Sequence, residues 1–215
     1  MGACSPGPSS FVPEWYDEFE ALLDEMLRIL RPEWHLSKDP PARALDRPAY
    51  MSRWRTNQKR GTLASHLRDH PAEVRIHLPA LMDIVVHDLN PSFNVILIER
   101  IVAAAGYRPV HEGIIERLEH GTFTEQIGAT YAWYSAQPGR HYLSPTAFHR
   151  GEPTPGSVLR YTEWQELLPR YREAGRRAVA RCEDPERRAC LSELTANFSE
   201  IVSIGTPPDE WAPLS

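Results

Sequence analysis

Two histidines stand four residues apart, which is the spacing of a metal-binding pair on a helix. His66 and His70 would lie on one face, and Asp69 or His77 could supply a third ligand. Against this, Pro71 places the pair at a helix junction, and nine histidines in 215 residues produce such pairs by chance. We therefore predict no resident metal ion and no other cofactor.

A second group of ionisable side chains follows Pro109. Di-iron proteins use carboxylates from several helices with an inward Glu-x-x-His motif, and that motif is absent here. We expect a solvated helix face. The group consists of His111, Glu112, Glu116, Glu119 and His120.

Sequence signatures of nucleophilic catalysis and of phosphate binding are missing. The chain contains no Gly-x-Ser-x-Gly, no Walker A sequence and no Gly-x-Gly-x-x-Gly. No candidate catalytic residue can be named, so the sequence favours a protein that is not an enzyme.

The strongest local charge contrast lies between residues 43 and 60. Six basic residues stand against Asp46, with Tyr50 and Trp54 between them. Arginines interleaved with aromatic residues can bind phosphates while stacking bases, or they can bind an acidic protein. The alternative is that Trp54 packs on the core and the cations pair with the acidic first helix. The basic residues are Arg43, Arg47, Arg53, Arg55, Lys59 and Arg60.

That acidic first helix is the second candidate for partner binding. Residues 1–37 carry seven acidic and two basic side chains, a net charge of −5. Such a face could steer a basic partner, and its simpler interpretation is a solvated amphipathic helix. The candidate residues are Asp17, Glu18, Glu20 and Asp24.

Aromatic residues are concentrated late in the chain, where they either fill the core or form an exposed patch suited to protein binding. Adjacent residues of a helix cannot face the same way, so some of them must be core, and core is the favoured fate. The residues are Tyr131, Trp133, Tyr134, Tyr142, Tyr161 and Trp164.

The elements that position these residues are helices, since apolar residues recur at helical spacing and no strand pattern is convincing. The helix beginning at Phe93 is apolar almost all round, so we expect it at the centre of the fold. Pro79 predicts a kink or a break in the helix that contains it. The predicted helices cover residues 14–30, 70–88, 93–105, 109–119, 123–136, 162–181 and 185–201.

The predicted organisation is a single all-α domain over residues 13–205, with a flexible N-terminus (1–12) and a C-terminal tail (206–215). Two irregular connectors interrupt it, near 31–62, with at most a short helix at 48–57, and near 137–158.

Residues 90–136 resemble the HEAT-repeat family. An Asn90-Pro91 opening precedes an apolar helix that ends in Ala103-Ala104-Ala105-Gly106. Arg108-Pro109-Val110 and Ile114-Ile115-Glu116-Arg117-Leu118 follow, and Gly121-Thr122-Phe123 stands where the next repeat would open. The resemblance implies an irregular HEAT-like array of antiparallel helices, an α-solenoid. The alternative is a closed helical bundle.

Composition narrows the functional classes. The 24.5 kDa chain has a net charge of −5 and a pI near 6.0, which disfavours wholesale binding to nucleic acid or an anionic membrane. Three cysteines cannot form a disulfide framework, and no signal peptide or membrane-spanning segment is evident. We predict a cytoplasmic protein, and the bias of arginine over lysine indicates a GC-rich bacterial genome.

The sequence therefore predicts a non-enzymatic HEAT-like module that binds a protein partner. In its most concrete form it neutralises a toxin, as an immunity protein does, or scaffolds a partner. The alternatives act on nucleic acid: a DNA-acting protein of the HEAT-like DNA glycosylase type, or binding through residues 43–60.

Overall fold

The structure, a computed structural model, describes residues 12–36, 48–138 and 145–200, and this part of the chain contains helices and no strands. The predicted all-α class is confirmed. The helices are α1 (Val12–Leu30), α2 (Pro48–Asp69), α3 (Pro71–Ile76), α4 (Leu78–His87), α5 (Pro91–Ala105), α6 (Tyr107–His120), α7 (Phe123–Ser135), α8 (Pro145–His149), α9 (Pro155–Arg181) and α10 (Pro185–Glu200).

Local capping explains where several helices begin. The Asn90 side chain accepts a hydrogen bond from the Ser92 backbone, and Thr154 does the same for Ser157. Thr122 and Glu125 form a reciprocal capping box. Six of the helices among the described residues begin at a proline, which needs no intrahelical donor in the first turn. These six prolines therefore mark where helices begin.

Helix α2 corrects the predicted connector over residues 31–62. It is a continuous helix of 22 residues, more than twice the length of the expected one. The apolar pattern failed because the buried positions described before Leu63 are polar, namely Thr56, Lys59 and Arg60. Regular apolar burial begins only at Leu63 and continues at Leu67.

Smaller corrections concern the other boundaries. The predicted helix over 70–88 is divided at His77 into α3 and α4, which confirms a break beside Pro79. Helix α9 begins at Pro155, seven residues before the prediction, because Thr154 caps it. Within the predicted connector over 137–158, the short helix α8 occupies Pro145–His149. The predicted C-terminal tail, and all of the predicted flexible N-terminus except Val12, lie outside the described residues.

Helices α4 and α7 form the centre of the packing. A Cβ atom on Gly128 of α7 would lie 1.5 Å from the Val86 carbonyl oxygen of α4, so the two backbones are in direct contact. Helix α5 was the predicted centre, but its outer face is open to solvent, with Phe93 and Ile96 both 38% exposed. An all-round apolar composition does not specify which side a helix buries.

Successive helix pairs pack side by side, and neither an α-solenoid nor a closed bundle is confirmed. Helix α7 packs against α4, α5, α6 and α10, and α1 packs against α2 and α4. One core of buried apolar residues extends from Phe19 to Leu194.

Candidate functional site

The predicted acidic and basic segments meet each other across the α1–α2 interface. Lys59 Nζ lies 2.7 Å from both Glu20 Oε1 and Asp24 Oδ2, and Arg55 Nε donates to Glu20 Oε1 at 2.9 Å. Burial raises the pKa of Glu20, but the hydrogen bonds from Arg55 and Lys59 outweigh it, so the pKa is lower than usual. Glu20 is therefore an ionised internal partner.

Arg60 belongs to the core. Its Nε and Nη2 atoms each donate at 2.8 Å to one carboxylate oxygen of Asp88, and the two side chains are 3% and 0% exposed. The guanidinium also lies 5.2 Å from the Phe19 ring centroid and 5.3 Å from that of Phe93. Because burying a charge is costly unless it is paired, this cation is committed to the fold.

The predicted binding residues therefore do not form one free surface. Five of them pair inside the molecule: Glu20, Asp24, Arg55, Lys59 and Arg60. Asp17, Glu18 and Arg53 are exposed, and Trp54 is half-buried. Glu18 Oε1 lies 3.4 Å from His87 Nε2. Arg43 and Arg47 lie outside the described residues.

Beside this interface is a groove of about 660 Å³, between the residues that follow α1 and one face of α2. The α2 side, which we call the floor, carries small or uncharged polar residues. The opposite wall contains an indole, a guanidinium, a carboxylate and an imidazole. The floor consists of Asn57, Gln58, Gly61, Thr62 and Ser65, and the wall of Arg31, Glu33, Trp34 and His35.

Gly61 is the unusual residue of this groove. It lies in the interior of α2, where glycine costs roughly 0.5–1 kcal/mol relative to alanine. A Cβ atom at this position would meet nothing within 4 Å, so helix packing does not require a glycine. Because no side chain projects from position 61, the floor of the groove is open there. The sequence does not predict the groove, because its apolar pattern indicates a connector over most of α2. The available signal was a glycine with amide residues three and four positions before it and hydroxyl residues one and four positions after it.

The two histidines at metal-ligand spacing make other contacts. Their rings stack at 4.2 Å, His66 Nε2 donates to Glu73 Oε2 at 2.7 Å, and His70 Nδ1 donates to the His66 carbonyl. The described part of the chain holds no group of three or more His, Cys, Asp or Glu side chains arranged to bind a metal ion.

The side chains of the ionisable face predicted for α6 lie in two different environments. Glu112 pairs with Arg170 at 3.0 Å and Glu119 with Arg177 at 2.7 Å, both on α9. His111 instead points inward and is fully buried, which corrects its expected exposure. Its Nδ1 donates to the Tyr107 carbonyl, and burial lowers its pKa to about 4.

The late aromatic residues pack mostly inside. Trp133 and Trp164 are buried, and the Trp133 ring stacks on Tyr171 with centroids 4.1 Å apart. Tyr131 and Tyr134 are half-buried and both contact Phe198. The expectation of a core role holds for Trp133 and Trp164, and Tyr131 and Tyr161 are partly buried against the core. Tyr142 lies outside the described residues.

No family model, curated protein or solved structure matches this chain. Among the described helices, none has the length and apolar character needed to cross a membrane.

Proposed function

We propose that this protein is a non-enzymatic binding module whose α1–α2 groove receives an extended peptide segment of a protein partner. The observation that supports the proposal most directly is Gly61. A helix-interior glycine that packing does not need lies on the floor of a groove of about 660 Å³.

The chemistry of the floor suits a peptide backbone, which presents donors and acceptors alternately. The Gln58 amide offers both kinds of group, and the Thr62 and Ser65 hydroxyls do so as well. Asn57 Oδ1 already accepts from Arg60 at 2.6 Å, which leaves its NH₂ group as a donor. The floor carries no formal charge, so it does not select a ligand by its charge.

Charge complementarity points to a basic partner. Asp17, Glu18 and Glu25 are exposed on α1, and Glu33 on the groove wall is exposed as well. Of these carboxylates only Glu33 lines the groove, and the others lie along α1; exposed carboxylates accelerate the approach of a cationic partner at low salt. Neutralising a basic toxin, or scaffolding a basic partner, is the concrete form of this function.

A nucleic-acid partner is less well supported. Three of the six basic residues between positions 43 and 60 are bound to carboxylates of the same chain. Releasing Arg60 to a phosphate would leave the Asp88 carboxylate buried without its partner, which is strongly unfavourable.

Filling the groove tests the proposal. Gly61→Leu adds a side chain where nothing lies within 4 Å, so the fold is retained. Gly156→Leu is the matched control, because Gly156 is also helical and open. A random dodecapeptide library is selected on the wild-type protein, and affinities are measured by titration calorimetry.

We expect selected peptides to bind wild type and Gly156→Leu alike and to lose at least about tenfold in affinity with Gly61→Leu. Charge reversal at Asp17 and Glu18 should slow association at low salt. Peptides that bind Gly61→Leu as tightly as wild type, or a selection that recovers no binder, would refute the proposal.

A further inference from the structure

A second groove, of about 410 Å³, lies where the start of α7, the end of α9 and the start of α10 meet. It is separate from the α1–α2 groove and from the function proposed for that groove. Its lining includes Phe123, Gln126, Arg181, Cys182 and Arg187. We call it the α7–α10 groove.

Gln126 is the first sign that this groove holds a ligand. Its side chain lines the groove, the residue is only 9% exposed, and its amide has no hydrogen-bond partner among the described residues. Its amide atoms are not among the fully buried polar atoms that lack a partner, so they are open to the groove and available to a ligand. A bound acceptor at the groove would satisfy the amide donors.

Two arginines at the groove provide the second sign. Of the other α9 arginines, Arg170, Arg176 and Arg177 form ion pairs, whereas Arg172 donates to the Ser199 carbonyl oxygen. Arg181 donates to the Glu119 carbonyl oxygen but has no carboxylate within ion-pair distance in the described part of the chain. The Arg187 guanidinium lies 5.1 Å from the Phe123 ring centroid and also lacks an ion pair there.

The acidic residues of the lining leave these cations available. Asp184 Oδ1 accepts the backbone N–H groups of Glu186 and Arg187, so this carboxylate caps α10. Glu183 is exposed. Its charge disfavours a highly charged polyanion and favours a ligand with a single small anionic group.

We propose that the α7–α10 groove binds a carboxylate. The planar fork of Arg187 fits two carboxylate oxygens, and Arg181 and the Gln126 amide add charge and a further donor. Phe123 and Ala178 supply an apolar surface for the body of the ligand. A volume of about 410 Å³ suits a small organic acid, and the carboxylate at the end of a peptide has the same chemistry.

The full chain is titrated with benzoate and succinate, with their neutral amides, with N-acetyl-alanine as a peptide terminus, and with inorganic phosphate. Binding is followed by the NMR shift of the Gln126 side-chain NH₂ group. A second readout is alkylation by iodoacetamide at Cys182, which lines the groove, relative to Cys190, which does not.

We expect carboxylates to shift the Gln126 signal and to slow alkylation at Cys182 alone, while the amides do neither. Arg187→Gln should weaken binding roughly tenfold to a hundredfold, as for loss of a charge-assisted hydrogen bond. Arg176→Gln, which removes an exposed arginine paired with Glu173, should leave it unchanged.

The comparison of N-acetyl-alanine with benzoate and succinate decides whether the carboxylate belongs to a peptide terminus or to a small acid. The proposal is overturned if phosphate binds as well as the carboxylates, since that indicates general anion attraction. It is also overturned if Arg176→Gln weakens binding as much as Arg187→Gln, or if no ligand moves the Gln126 signal.

Discussion

The buried imidazole of His111 makes the stability of this protein depend on pH in a predictable direction. His111 is fully buried. Its ring stacks on the Tyr107 ring with centroids 4.7 Å apart, and it is nearly perpendicular to the Trp133 ring, with centroids 4.8 Å apart. Because Nδ1 donates to the Tyr107 carbonyl, Nδ1 carries the proton of the neutral ring. Nε2 is buried without a partner in the described structure, so nothing stabilises a second proton.

The magnitude follows from the pKa difference between the folded and unfolded chains. Burial lowers the pKa of His111 from 6.5 to about 4, although the bond to Tyr107 acts in the opposite direction. The unfolded chain therefore takes up a proton as the pH falls through 6.5, and the folded protein does not until about pH 4. The free energy of unfolding is therefore unaffected by His111 above about pH 6.5 and decreases as the pH falls from 6.5 towards 4. Between pH 7.5 and 5 the expected loss is about 2 kcal/mol.

Urea denaturation followed by circular dichroism at pH 7.5, 6 and 5 measures this loss. His111→Gln should remove most of the pH dependence, and His120→Gln, at an exposed histidine of the same helix, should retain it.

Carboxylates with lowered pKa values, such as Glu20 and Glu125, lose their contribution to stability only below about pH 4.5. Burial raises the pKa of Asp88 despite Arg60, which opposes the His111 effect, so the difference between wild type and variant is the decisive quantity. An unchanged difference in stability between wild type and His111→Gln from pH 7.5 to 5 would refute the reasoning.

Three other substitutions have defined outcomes, each read from urea denaturation at pH 7.5. Gly128→Ala should cost about 3 kcal/mol or more, because its Cβ would overlap the Val86 carbonyl oxygen at 1.5 Å. Asp88→Ala should cost about 3–5 kcal/mol by leaving Arg60 charged and buried, and the double variant Arg60→Met/Asp88→Leu should regain most of that loss. Gly61→Ala should raise stability by about 0.5–1 kcal/mol, since the new methyl group meets no neighbour within 4 Å.

For each of these three substitutions, one result would contradict the prediction. A tolerated Gly128→Ala would mean that α4 and α7 are not in backbone contact. If Asp88→Ala had no effect, the Arg60 cation would have to be accessible to solvent. A destabilising Gly61→Ala would show that the floor of the α1–α2 groove is occupied by part of the chain itself.

The sequence did not predict which charged residues pair inside the molecule, because their partners are distant in the chain. Arg55, Lys59 and Arg60 have the composition of a binding surface, yet they contact residues 28 to 39 positions away in the chain. Charge patterns do not distinguish a free cation from a paired one, since both have the same local sequence. Gln126 and Arg187 were missed for the same reason, because two separate helices, α7 and α10, bring them to one groove.

The sequence by itself determined the all-α class and most of the helix boundaries. Those features depend on interactions within about four residues, such as the cap at Asn90, the capping box at Thr122 and the glycine after α5. Tertiary structure alone decided that α4 and α7 are central, that α2 is a full helix, and which ionisable groups are buried. These outcomes depend on which surfaces meet, and hydrophobic periodicity gives each helix a buried face without naming the helix that covers it.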